Sequence, residues 1–121
     1  MSSTKILDYI GKIIEIVWDA KVTPSEIDSI TKEVRTHAQE LGGSFDVIVD
    51  MRTVKVFSPE SQAKLVEHQK SIKEFGMKRA AVVVTGTIAK LQLNRTARHS
   101  VHTTETQWES YEQALAFLKE S

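Results

Sequence analysis

The side chains with the most chemical potential gather in one stretch, VDMRTVKVFSPES, residues 49–61. Ser58 and Ser61 flank the pair Pro59-Glu60 there. Three roles suit such serines: nucleophile, phosphate acceptor or helix cap. A nucleophile needs an adjacent base and an oxyanion hole. No Gly-x-Ser-x-Gly elbow stands here, and no spacing sets a histidine beside either serine. Ser58 followed by Pro59 has the form of an N-cap and a first helical residue, with Glu60 beside the positive helix end. Such a cap contributes ~1 kcal/mol, which accounts for Ser58 without a further role. Phosphate on Ser58 or Ser61 would sit near free backbone amides, so modification is physically tolerable. Capping is the first expectation, and docking or phosphorylation the second.

Other groups are weaker candidates. Thr85-Gly86-Thr87 follows a buried apolar run, and Arg95 and Arg98 come soon after. A turn at the carboxyl end of a sheet is where open α/β folds bind ligands, and free amides at a helix start can hold an anion. Thr85, Thr87, Arg95 and Arg98 therefore mark a candidate anion site, although no Gly-Lys-Ser/Thr of a phosphate-binding loop occurs. A plain capping turn with solvated cations is the simpler reading. Asp46 and Asp50 share one face of a strand, but their α-carbons would lie ~13 Å apart, too wide to share a proton. Asp50 can instead bond the backbone of the following turn. His37, His68, His99 and His102 form no convincing ligand set, so no metal and no cofactor are expected. Trp18 and Trp108 are expected in core or interface packing.

These groups sit on a chain of 121 residues, a length that suits one domain spanning residues 1–121. Hydrophobic residues make up 40% and charged residues 26%, an ordinary globular balance. The absence of cysteine excludes disulfides, thiolate metal sites and cysteine nucleophiles. Zero net charge argues against wholesale nucleic-acid binding. Basic residues do collect between Lys64 and Arg98, against Glu67 and Glu74 alone, as expected of solvated helix faces. Asp8 and Glu15 interrupt the apolar start, and no run reaches the ~20 residues of a membrane helix. A cytoplasmic location is the default expectation.

The elements that would position these groups alternate. Lys5 to Tyr9 and Lys12 to Trp18 read as a hairpin. Ile14, Ile16 and Trp18 share an apolar face, while Ile13, Glu15 and Val17 make a mixed one, as expected of an edge strand. Thr23-Pro24-Ser25-Glu26 is a helix start with cap, first-turn proline and capping box. Ile27, Ile30, Val34, Ala38 and Leu41 then recur at helical spacing until Gly42. Phe45 to Met51 is a strand, and a helix runs from Ser58 to Phe75 with Leu65, Ile72 and Phe75 as its stripe. Arg79 to Val84 suits a central strand buried on both faces. A short helix is expected from Ile88, a weak strand over Val101 to Thr106, and an amphipathic helix over Ser110 to Lys119. The order predicts an α/β domain: a mixed five-stranded sheet, an N-terminal β-hairpin plus parallel strands, with about four helices mainly on one face.

This layout resembles the STAS domains, typified by bacterial anti-sigma-factor antagonists, over nearly the whole chain. The most specific part is FDVIVDMRTVKVFSPES. In the family a buried strand ends in an Asp-Leu-Ser type turn, a hydrophobic pair follows, and Asp-Ser-Ser-Gly opens a helix. Here Asp50-Met51-Arg52 stands for the turn, Val54 and Phe57 supply apolar positions, and Ser58-Pro59-Glu60-Ser61 stands at the helix opening. EFGMKRAAVVV and YEQALAFL look like the family's later strand and final helix. Read outward from Asp50, Pro59 falls where the family's phosphorylated serine stands, and proline cannot be phosphorylated. The usual switch does not carry over unless Ser58 or Ser61 has taken its place.

The resemblance implies a non-catalytic regulatory module, bacterial in style. A protein partner would dock on Arg52, Lys55, Phe57, Ser58 and Glu60. The alternative is a protein, or a modest enzyme, that binds a small acidic metabolite or lipid head group near Thr85–Arg98. Two copies could pair through the edge of the hairpin Lys5 to Trp18.

Overall fold

The computed structural model describes residues 2–54, 58–84 and 105–119. Strands β1 (Ser3–Asp8), β2 (Ile13–Val17), β3 (Phe45–Asp50), β4 (Met77–Val83) and β5 (Glu105–Trp108) form one sheet in the order β1-β2-β3-β4-β5. β1 runs antiparallel to β2, and every other neighbouring pair is parallel. Three helices occur among the described residues: α1 (Pro24–Glu40), α2 (Pro59–Glu74) and α3 (Tyr111–Lys119). The sheet is the mixed one expected. The fourth helix expected from Ile88 lies outside the described residues.

The strand order dictates where the helices go. β2, β3 and β4 are added in one direction across the sheet, so right-handed crossovers place α1 and α2 on the same face. Ile14, Ile16, Trp18, Phe45, Val47, Val49, Ala80 and Val82 pack there against Ile27, Ile30, Val34, Leu65 and Ile72. α3 follows the last strand and closes no crossover. It covers the other face, where Ala114 and Leu118 meet Ile13, Ile48, Ala81 and Val83. β3 and β4 are therefore buried on both sides, which explains their uninterrupted apolar runs.

Two expectations need correcting. β2 is not an edge strand, because it pairs with β3 as well as β1. Its mixed face is half-buried because Glu15 is partnered there rather than solvated. The last strand is described over Glu105–Trp108 and so runs two residues past the expected end at Thr106, while the expected start from Val101 lies outside the described residues. Backbone pairing with β4 decides this, through Ala80–Glu105 to Val83–Trp108.

Local signals work as physics requires at both long helices. Thr23 caps α1 by accepting the Glu26 N–H at 3.2 Å. The Glu26 carboxylate accepts the Ser2 hydroxyl at 2.8 Å. α1 ends in a Schellman arrangement: Gly43 N–H donates to Ala38 O at 2.9 Å and Gly42 N–H to Gln39 O at 3.2 Å. Gly76, after α2, has φ +114° and approaches the Gly43 carbonyl so closely that a Cβ would lie 1.7 Å from its oxygen. The ends of the two helices thus touch backbone to backbone at the foot of the sheet.

Candidate functional site

The carboxyl ends of β2 and β3 lie side by side, joined by Trp18 N–H donating to Asp50 O at 3.0 Å. After β3 the chain turns at once. Met51 and Val54 are buried, and Val54 N–H donates to Met51 O at 3.1 Å, which closes a β-turn. Arg52 and Thr53 occupy its exposed corner. Asp50 rigidifies that corner as its strand position suggested. Its Oδ1 accepts the Arg52 backbone N–H at 3.1 Å and Nε at 3.0 Å, and its Oδ2 accepts Nη2 at 2.8 Å. The Arg52 side chain, bonded chiefly through these contacts, holds the Asp50 carboxyl below the usual carboxylate range, while Asp50 raises Arg52 further. Such a fork is planar and two-pronged, so it fixes the guanidinium's direction.

The same guanidinium lies 5.5 Å from the ring centre of Tyr111, the first residue of α3. The Tyr111 hydroxyl donates to Glu15 Oε2 in a short hydrogen bond. Lys5 stands 3.8 Å from the other oxygen of Glu15. Burial first, and the Glu15 bond second, raise the Tyr111 phenol well above its ordinary value. One polar chain thus runs Lys5–Glu15–Tyr111–Arg52–Asp50 across the carboxyl ends of the strands. Sequence reading saw the turn residues but missed Glu15 and Tyr111. The mixed face of β2 was the available signal for Glu15.

The opposite face of this corner is laced by hydroxyls. Thr53 Oγ1 donates to Trp18 O at 3.0 Å. Ser58 is the N-cap of α2, in extended conformation, and its Oγ accepts the Ser61 N–H at 3.1 Å. Ser58 Oγ–H donates to Ser61 Oγ at 3.0 Å, and Ser61 Oγ–H donates to Val22 O at 2.7 Å. Ser58 is exposed, whereas Ser61 is only 1% exposed. Pro59 and Glu60 occupy the first turn, as their types suggested.

Beneath lies a buried polar contact that sequence reading did not single out. His68 of α2 is 4% exposed and packs edge-on against Trp18, ring centres 5.4 Å apart. Its Nδ1 is 2.8 Å from Thr31 Oγ1, whose own proton goes to Ile27 O at 2.8 Å. A hydroxyl has one proton, so Nδ1 is the donor to Thr31.

Of the expected docking residues, Arg52, Ser58 and Glu60 are exposed, while Lys55 and Phe57 lie outside the described residues. The candidate anion residues Thr85, Thr87, Arg95 and Arg98 also lie outside them, as do His99 and His102. No cluster of metal-ligating side chains occurs among the described residues. No helix among them is long and apolar enough to cross a membrane.

No protein-family profile matches the chain, and no curated protein is significantly similar to it. Solved structures do resemble it. The solution structure of the protein TM1081 superposes with a TM-score of 0.68 at 16% identity, covering 100% of this chain and 90% of that one. The crystal structure of a candidate anti-sigma factor antagonist (TM1081) from Thermotoga maritima gives 0.65 at 15% identity, covering 98% and 95%. This chain has a STAS-like fold. The likeness runs over nearly the full length of both chains. In the STAS-like frame, Arg52 and Ser58 flank the connection from β3 to α2.

Proposed function

We propose that this chain is a non-catalytic regulatory module that docks a protein partner on the β3–α2 connection, using Arg52, Lys55, Phe57, Ser58 and Glu60. The observation that carries the reading is Arg52. It stands on the exposed corner of a turn anchored by buried Met51 and Val54, with its guanidinium direction set by Asp50. A pre-set side chain loses little freedom on binding, and arginine is well suited to interface anchoring. The neighbour named for anti-sigma factor antagonism supports a regulatory protein partner. The module works without the family's usual phosphoserine, since Pro59 stands at that position. Ser58 is the serine open to modification, because the Ser61 hydroxyl is buried and bonded to Val22 O.

The test is crosslinking in the source cells, with tagged wild type beside Arg52→Glu and Phe57→Ala. A discrete protein captured by wild type and lost from both variants, with melting temperatures preserved, supports the reading. Capture that both variants retain sinks it.

A further inference from the structure

We propose that Ser58, Ser61 and Val22 form a hydroxyl relay through which the exposed start of α2 sets the conformation of the turn that begins α1. Each hydroxyl has a single proton, and both are committed. Ser58 Oγ–H goes to Ser61 Oγ at 3.0 Å, and Ser61 Oγ–H goes to Val22 O at 2.7 Å. The direction of the chain is therefore set from the exposed end to the buried end. Its terminus matters structurally. Val22 is 6% exposed and immediately precedes Thr23, the N-cap of α1.

The relay has two arrangements. With a hydroxyl at position 58, Ser61 receives a proton from it and donates to Val22 O. Should a group at position 58 only accept, Ser61 loses its donor and faces a charged acceptor. A carboxylate placed there by mutation has this effect, whereas a partner carboxylate that accepts the Ser58 proton removes the donor and leaves a neutral oxygen that can still accept from Ser61. Charge-assisted hydrogen bonds are the stronger kind, so the Ser61 hydroxyl turns back toward position 58. The buried Val22 carbonyl then loses its donor, an arrangement that folded chains relieve by moving. The segment free to move is short. Trp18 is held at its far end by Thr53 Oγ1 and by Asp50 O, and Asp19 N–H donates to Ser2 Oγ at 3.0 Å, so the response falls on residues 20–22. Ala20 and Lys21 of that turn are exposed, which makes them a second surface that reports events at Ser58. The regulatory use of the relay rests on the docking reading above, whereas the relay itself is a property of the isolated chain.

The experiment uses the full ¹⁵N-labelled chain. The Thr23 nitrogen is bonded to the Val22 carbonyl carbon and senses what that carbonyl accepts. Aspartate is a good N-cap, so Ser58→Asp keeps the helix start while supplying only an acceptor. The expected result is that Ser58→Asp moves the Thr23 nitrogen more than any amide of residues 32–40 on the same helix. Ser61→Ala should move it in the same direction and make a further Ser58→Asp change silent there. Ser61→Thr, which keeps the hydroxyl, should restore the response. An unmoved Thr23 nitrogen in folded Ser58→Asp overturns the relay, whatever Ser61→Ala does. An equal response with and without the Ser61 hydroxyl also overturns it. A silent Thr23 with partner capture intact refutes the relay alone, and lost capture with a responsive Thr23 refutes the docking reading alone.

Discussion

Asp46 and Asp50 stand on the same face of β3, and each holds an arginine that lies against an aromatic ring of α3. Asp50 grips Arg52, which sits 5.5 Å from the Tyr111 ring centre at the helix start. Asp46 Oδ2 accepts Arg79 Nη2 at 2.7 Å, and Arg79 sits 5.2 Å from the Phe117 ring centre near the helix end. Arg79 also donates to Leu118 O at 2.9 Å, satisfying a carbonyl at the negative end of the helix. α3 is nine residues long, and the two clamps add to the packing of Ala114 and Leu118 on the sheet.

The clamps differ in burial, and this predicts unequal costs. The Asp46 and Arg79 side chains are 9% and 26% exposed, whereas those of Asp50 and Arg52 are 15% and 47% exposed. Arg79→Met should cost about 2–4 kcal/mol, because it leaves a buried carboxylate without its main partner. Arg52→Met should cost about 0.5 kcal/mol, as expected of an exposed pair. Urea denaturation of both variants checks the ordering, and equal costs would contradict it.

Acid should selectively weaken the Asp50 clamp. The folded carboxyl lies below its unfolded value of 3.8, mainly through the Arg52 bonds. A depressed value means that the stabilisation is present above the unfolded pKa and is lost as pH falls through the folded one. Asp50→Asn should therefore be less stable than wild type near neutrality, and the difference should shrink as the pH drops well below 3.8. Paired denaturation curves across that range measure it.

Alkali should act on Tyr111 with the opposite sign. Its folded pKa is raised above the unfolded value of 10.0 by burial and then by Glu15. A raised value gives stability that is complete below the unfolded pKa and declines as pH rises above it. Tyr111→Phe should remove this alkaline decline while giving up the bond to Glu15 at neutral pH. Thermal melts on either side of that value, with phenolate absorbance followed in parallel, report both effects.

Gly76→Ala should be severe. The added Cβ would meet the Gly43 carbonyl oxygen at 1.7 Å, and φ +114° is itself strained for alanine. Both neighbours are backbone in tight turns, so neither can swing aside. A loss of about 3 kcal/mol or more is expected. Gly42→Ala, where nothing lies within 4 Å of the new Cβ, pays only for its positive φ and should cost about 1 kcal/mol.

Much of the frame was readable along the chain because its causes are local. The caps at Thr23 and Ser58 depend on residues within one turn. The strand faces follow from strict alternation, so Phe45, Val47, Val49 and Met51 fall on the two-helix side and Ile48 on the other. The Asp50 bond to the following turn was likewise legible, since donor and acceptor are two residues apart. The expectation of an edge strand at β2 failed because Glu15 looked solvated. Its partner Tyr111 lies 96 residues away, beyond any local pattern.

The residue pattern determined the caps, the hydrophobic faces and the alternating order. Each of these is decided by sterics and hydrogen bonds between near neighbours. Only the tertiary structure decided that Ser61 is sealed against Val22, that His68 is buried beside Trp18, and that α3 is clamped through Arg52 and Arg79. In each case the partner comes from a different element, so the contact exists only once the sheet order has brought those elements together.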